Sequence, residues 1–154
     1  MQGVVVVAFV SLTLASGPAR GQEGLTKETK QALDGLPALV REAVKQQTRG
    51  ATLRGVAKEV SNGVTLYEVE TTVKGRTRDL MLDSQGQVVS VEEQTTLDEI
   101  PEPARAAILK AVGTGNLALV EKVTRGQTTF YDGHIKRGRI VSEVKVDAKG
   151  HPVE

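Results

Sequence analysis

Cysteine and tryptophan are both missing from this chain, and only two tyrosines, two phenylalanines and two histidines occur in its 154 residues. Without cysteine there is no disulfide, no thiolate nucleophile, no thiolate metal site and no residue to carry a lipoprotein anchor. Without tryptophan, a protein interface lacks one of its commonest pocket-filling anchors. Charge of one sign is lacking as well, since 20 basic residues face 19 acidic ones, scattered rather than blocked. That balance excludes a general electrostatic attraction to nucleic acid or anionic lipid. What remains is a globular composition, 39% hydrophobic and 25% charged, long enough for one compact domain or two small ones.

Long apolar runs are confined to one place, Gly3 to Ala15. That run is shorter than the roughly 20 residues a bilayer span needs, and small residues follow it. It reads as an export signal over residues 1–21, with Ala19 and Gly21 at the two recognition positions for cleavage before Gln22. A cut after Gly17 would place Pro18 next to the scissile bond, and no Lys or Arg precedes the apolar run. The competing reading is a structural N-terminal strand. Removal of residues 1–21 takes away Arg20 and no acid, leaving a formally neutral chain with no stable membrane anchor.

The rest is organised by self-similarity. Leu33-Asp34-Gly35-Leu36-Pro37 recurs as Leu97-Asp98-Glu99-Ile100-Pro101, an interval of 64 residues that holds without a gap to the end of the chain. It matches Arg41 with Arg105, Leu53 with Leu117, Tyr67 with Tyr131, Asp83 with Asp147 and Gly86 with Gly150. In each copy a helix comes first. Leu36, Leu39, Val40, Ala43 and Val44 line one face behind Pro37, as Ile100, Ala104, Ala107, Ile108 and Ala111 do behind Pro101. The period then changes to that of strands. Tyr67, Val69, Thr71 and Val73 alternate with Leu66, Glu68, Glu70 and Thr72, so the first set faces the helix and the second mostly water. Asn62-Gly63, Lys74-Gly75 and Asp83 to Gly86 mark turns, and Val89 and Val91 begin a last short strand.

The expected fold is α+β: two tandem modules, each a helix packed on a four-stranded antiparallel meander sheet. The modules occupy 33–92 and 93–154, residues 22–32 form an N-terminal linker, and Glu92 to Glu99 is a short acidic link between the copies. About 60 residues make only a marginal core, so the copies should lean on each other.

The order of a Leu-Pro helix, a turn, the Tyr67-Glu68-Val69 strand, a basic turn and Leu80-Met81-Leu82-Asp83-Ser84-Gln85-Gly86-Gln87-Val88-Val89 resembles the PepSY-like, β-lactamase-inhibitor-like (BLIP-like) family of secreted bacterial proteins. The resemblance covers residues 33 to 154. It implies tandem modules whose helical layer packs on an antiparallel sheet, leaving the opposite face open for a protein partner, and relatives that inhibit β-lactamases or secreted metalloproteases.

Catalytic signals are sparse. His134 and His151 are read as having no second His, Cys or carboxylate at ligand spacing on one element and as strand surface and turn, so no metal and no cofactor is expected. Asp83-x-x-Gly86 and Asp147-x-x-Gly150 lack the alternate oxygen donors of a calcium loop and read as hairpin turns. The serines lack a nucleophile elbow, and the carboxylates of Glu92-Glu93 and Asp98-Glu99 lie in the link. Two features point to binding. Tyr67 and Tyr131 occupy matching strand positions, serving the core or a contact. Lys74, Arg76 and Arg78 gather at one hairpin and Lys136, Arg137 and Arg139 at its counterpart, as solubilising tips or as a basic pair that steers an acidic partner. The chain is thus expected to be an exported, non-catalytic, periplasmic or secreted binding protein whose partner is an extracytoplasmic protein. The alternative ligand is a small anion or a cell-wall polymer. Mass spectrometry of the protein recovered from the host envelope should find a chain beginning at Gln22; one beginning at Met1 rejects the export signal.

Overall fold

Order along the chain, in the computed structural model, is described for residues 25–61 and 63–153. The export segment therefore lies outside the described residues. Among the described residues three helices, α1 (Lys27–Asp34), α2 (Ala38–Gln47) and α3 (Glu102–Val112), accompany seven strands: β1 (Thr52–Ser61), β2 (Val64–Val73), β3 (Arg76–Asp83), β4 (Val88–Thr95), β5 (Asn116–Arg125), β6 (Thr128–Arg137) and β7 (Ile140–Val146). Among the described residues no helix is long and apolar enough to cross a membrane.

The strands form one antiparallel sheet in the order β1-β2-β3-β4-β5-β6-β7. This corrects the expectation of two modules with four-stranded sheets of their own. The cause lies in the segment read as an acidic link. Glu92 to Thr95 is the second half of β4, and it pairs with β5 from Ser90↔Arg125 through Glu92↔Val123 to Thr95↔Val120. Only Thr96 and a 3-10 turn at Leu97–Glu99 separate that strand from Ile100 and the approach to α3. Elements do recur at the 64-residue interval, with α2 and α3 starting at Ala38 and Glu102, and β1 and β5 at Thr52 and Asn116. The last expected strand of the second half is reduced to an isolated bridge, Val146↔Pro152. Residues 27–32, read as linker, belong to α1, which Thr26 caps through its side chain and which docks on β1 where the Thr29 hydroxyl donates to the Arg54 carbonyl.

Both cores lie on the same side of the sheet. Leu36, Val40 and Val44 pack on Tyr67, Val69, Leu80 and Leu82. Ile100, Ala104 and Ile108 pack on Val120 and Val146, with Tyr131 at the margin. Register carries this parity across the seam, since Val69↔Leu80, Leu80↔Val91 and Thr95↔Val120 all point to the helices. Gly133 lets α3 settle directly on β6, because a Cβ there would stand 2.8 Å from the Ile108 Cγ2.

Two matching turns lock the helices. Asp83 Oδ1 accepts from the backbone N–H groups of Gln85 and Gln87, and Asp147 Oδ1 from those of Lys149 and His151, at 2.8 to 2.9 Å. Each turn then presents a glycine in the left-handed region to a helix backbone. A Cβ on Gly86 (φ +77) would meet the Leu39 carbonyl oxygen at 2.7 Å, and one on Gly150 (φ +80) the Pro103 carbonyl oxygen at 2.5 Å. Gly126 has positive φ (+59) but nothing within 4 Å of such a Cβ. Urea denaturation should therefore show Gly126→Ala costing about 1 kcal/mol through backbone strain alone, and Gly86→Ala and Gly150→Ala costing about 3 kcal/mol each. Equal costs at all three positions would remove the helix contact from the explanation.

Candidate functional site

The basic hairpins come to the same end of the sheet, because β2–β3 and β6–β7 turn on the same side of the meander. Their arginines are largely spent on the chain itself. Arg76 forms a two-pronged pair with Glu99 at 2.9 to 3.1 Å, tying the β2–β3 hairpin to the 3-10 turn. That guanidinium, with donors from Thr96 and Thr95, holds the Glu99 carboxyl down to about 2. Arg78 lies 3.6 Å from Glu93. Arg137 donates to the Ala111 and Val112 carbonyls at the end of α3 and so neutralises the negative end of that helix. Lys74, Lys136 and Arg139 are exposed. An open groove of about 400 Å³ on the helix side collects Arg76, Arg78 and Lys122 together with Glu93 and Glu99, so its charges largely cancel. Tyr67 is buried in the first core and Tyr131 packs at the margin of the second.

The face away from the helices is where the unusual chemistry lies. Pairing sets Glu68 opposite Ala57 and Met81, Glu92 opposite Asp79 and Val123, and Glu121 opposite Gln94 and Asp132. Asp132 faces Lys145, and His134 faces Glu143. One face of one sheet therefore carries Glu59, Glu68, Glu70, Asp79, Glu92, Glu121, Asp132 and Glu143, set against Arg54, Arg125, His134, Lys136 and Lys145. Among the described residues no helix covers it, yet parts of it are dry: Ser90, Val123, Phe130, Glu121 and Asp132 are each 5% exposed or less. Long side chains lying flat supply this cover, as where the Arg125 guanidinium sits 5.7 Å from the centre of the Phe130 ring.

Each half handles its charge differently. In the first, Arg54 sits at a bulge between Leu53 and Gly55 and reaches across the face. It donates to both Asp79 oxygens at 2.8 and 3.0 Å and to the Thr71 carbonyl. In the second, Glu121 is hydrogen-bonded to His134 Nε2 at 3.0 Å, and Lys145 stands 3.3 Å from Glu143 and 3.6 Å from Asp132. Burial pushes Glu68 up to about 7, helped by the charges of Glu59, Glu70, Asp79 and Glu92. Burial likewise lifts Glu92 to about 7, with Glu121 and Asp132 adding to it, and Asp132 to about 6, with Glu143 adding and His134 and Lys145 opposing. Burial works against a charged His134, but the hydrogen bond to Glu121 and the charge of Asp132 outweigh it and raise its pKa. Asp79 is raised by burial despite Arg54.

Chemically, this face can hold protons and cations. Among the described residues neither histidine is hydrogen-bonded to a hydroxyl, their side-chain partners being Glu121 and Asp147. Sequence reading passed over the cluster because its members come from β5, β6 and β7 and meet only through register. One signal was present: Asp132 and His134 stand two apart on one strand, which puts both on one face.

Carboxyl groups raised on folding take up more protons in the native state than in the unfolded one, so their stabilisation is complete below the ordinary value near 4.5 and is lost as pH rises through about 7. Glu99 and Asp147, lowered on folding, act only at more acid pH. The melting temperature should fall by about 5 °C between about pH 5 and about pH 8. Glu68→Gln should raise it at the alkaline end and leave it little changed at the acid end. A melting temperature that climbs across that range contradicts the assignment.

No family model matches the sequence, and no curated protein matches it either. Solved structures do. A DUF2874 family protein from Bacteroides ovatus superposes with a TM-score of 0.58 at 17% identity, over 79% of this chain and 86% of that one. A protein provisionally assigned to the periplasm of Bacteroides eggerthii gives 0.61 at 17% identity, over 77% and 86%. A BLIP-like protein from Bacteroides fragilis gives 0.53 at 15% identity, over 77% and 84%. With helices on one side and an open sheet face on the other, the chain has the fold of these DUF2874 and BLIP-like proteins.

Proposed function

We propose that this is an exported, non-catalytic binding protein of the envelope, PepSY-like or BLIP-like, that receives an extracytoplasmic protein on the helix-free face of its sheet and regulates or inhibits it. The observation that carries this reading is the division of the sheet. One face is used up by the helices, and the other, seven strands wide, is left with most of the sheet's charged side chains. A sheet face of this width offers the 800 Å² or so per partner that a stable complex buries. Its carboxylates outnumber its cations, so a partner with a basic patch fits it, and a small anion or acidic cell-wall polymer does not. The periplasmic assignment of one structural neighbour and the BLIP-like description of another agree with export and a protein partner. The exposed Lys74, Lys136 and Arg139 lie at one end of the sheet, where they guide an approaching partner's orientation. Tyr67 and Tyr131 act through the core that holds this face in shape.

Affinity capture from an extracytoplasmic extract tests the reading when wild type is compared with two variants. Ala57→Arg with Thr72→Arg places two cations on the free face without removing an ion pair, whereas Leu39→Glu alters the exposed side of α2. A single stoichiometric protein should bind wild type and Leu39→Glu, and bind the double variant at least tenfold more weakly. Loss through Leu39→Glu alone moves the interface to the helices. Capture of acidic polymer in place of protein overturns the reading. Lys74→Glu with Arg139→Glu should change the association rate in a salt-dependent manner.

A further inference from the structure

We propose that Asp132, His134 and Glu143 form a binding site for one divalent transition-metal ion of the zinc type, with Glu121 as the residue that orients the imidazole. Each of the three offers a ligand atom, and these atoms lie within 4.8 Å of one another. Two of the three come from β6 at a spacing of two, and the third from the position facing His134 on β7. Register, not loop conformation, therefore fixes the geometry.

An independent observation points to a missing ligand. Asp132 is 5% exposed, and its Oδ1 is buried with no hydrogen-bond partner among the described residues. A buried carboxylate oxygen left bare is costly, and native structures pair such atoms with a donor, a water or an ion. His134 Nε2 is bonded to Glu121 at 3.0 Å, so in this site Nδ1 would be the nitrogen that gives its electron pair to the metal. A carboxylate on the far side of a ligating histidine is the usual device for fixing tautomer and ring orientation.

Charge supports the same conclusion. Glu92, Glu121, Asp132 and Glu143 bring four carboxylates to this part of the face, against Lys145 and at most one positive charge on His134. With all four ionised, at least two negative charges stay uncompensated, a surplus that favours a divalent ion. Lys145 is the incumbent. Its Nζ lies 3.6 Å from Asp132 Oδ2 and 3.3 Å from Glu143 Oε2, and its side chain is 35% exposed, so it can swing to water when a metal arrives. The 64-residue interval supplies an internal contrast: Glu70 and Asp79, the counterparts of His134 and Glu143, are neutralised by Arg54, whose own counterpart is Ala118. The first half has a guanidinium where the second has only the displaceable ammonium of Lys145. One imidazole with two carboxylates suits zinc and its neighbours, whereas magnesium and calcium favour oxygen alone.

Calorimetric titration of the full chain with zinc chloride at about pH 7.5 tests this directly. One ion should bind per chain, millimolar magnesium should not compete, and His134→Gln and Asp132→Asn should each weaken binding at least tenfold. Lys145→Met should tighten it by removing the competing ammonium. His151→Gln should leave it unchanged. Absence of saturable binding, or binding lost with His151→Gln and retained with His134→Gln, overturns the site. Should Asp132→Asn fail to melt cooperatively, the less buried His134→Gln and Lys145→Met decide the matter by their opposite effects.

Discussion

Pairing between β4 and β5 is the contact on which the remaining architecture rests. Six residue pairs, from Ser90↔Arg125 to Thr95↔Val120, join two helix-and-strand halves into one sheet. Each backbone hydrogen bond adds only about 1 kcal/mol net, but the seam also decides parity. A slip of one residue there would turn Val120 away from α3 and leave Glu121 and Asp132 facing the apolar helix layer. Because the register holds, both cores share one side and most of the strand carboxylates share the other. The Arg76–Glu99 pair reinforces the junction from the helix side, bridging the β2–β3 hairpin and the turn that leads into α3.

The two faces follow opposing rules. On the helix side, Val40, Val44, Val69, Leu80, Leu82 and Ile108 are each 2% exposed or less and contribute through apolar burial. On the other side, burial, helped by neighbouring like charges, lifts Glu68 and Glu92 to about 7, which weakens the fold at neutral pH. An arrangement that works against stability at the working pH is typical of surfaces kept for binding. Arg54 shows the strand geometry with its charge satisfied by one guanidinium, and the second half shows it shared between His134 and Lys145.

Much of the helix side was legible in the sequence. Leu36, Val40 and Val44 behind Pro37, and the alternation of Tyr67 and Val69 or Leu80 and Leu82, announce their elements by period alone, and the structure buries all seven. Glu92 to Thr95 was not legible as strand. Val91, Glu93 and Thr95 alternate with Ser90, Glu92 and Gln94, so charge falls on both parities and no apolar stripe appears. The free-face cluster was hidden for a different reason. Asp132 and His134 are neighbours on one strand, but Glu121 and Glu143 reach them only through pairings that a linear chain does not display. The arginines of the hairpins were misleading in the opposite sense, since isolated basic residues near turns read as free until Glu99 and the α3 carbonyls are seen to hold them.

The turn glycines have an evolutionary consequence. Gly86 and Gly150 dock α2 and α3 through main-chain atoms, with the Leu39 and Pro103 carbonyls as the receiving surface. A helix seated on backbone keeps its angle and height when the side chains beneath it change, provided the volume they fill is conserved. Sequence drift in the core is thereby decoupled from drift in architecture. Chains sharing as little as 15% of their residues with this one can keep the same layered shape.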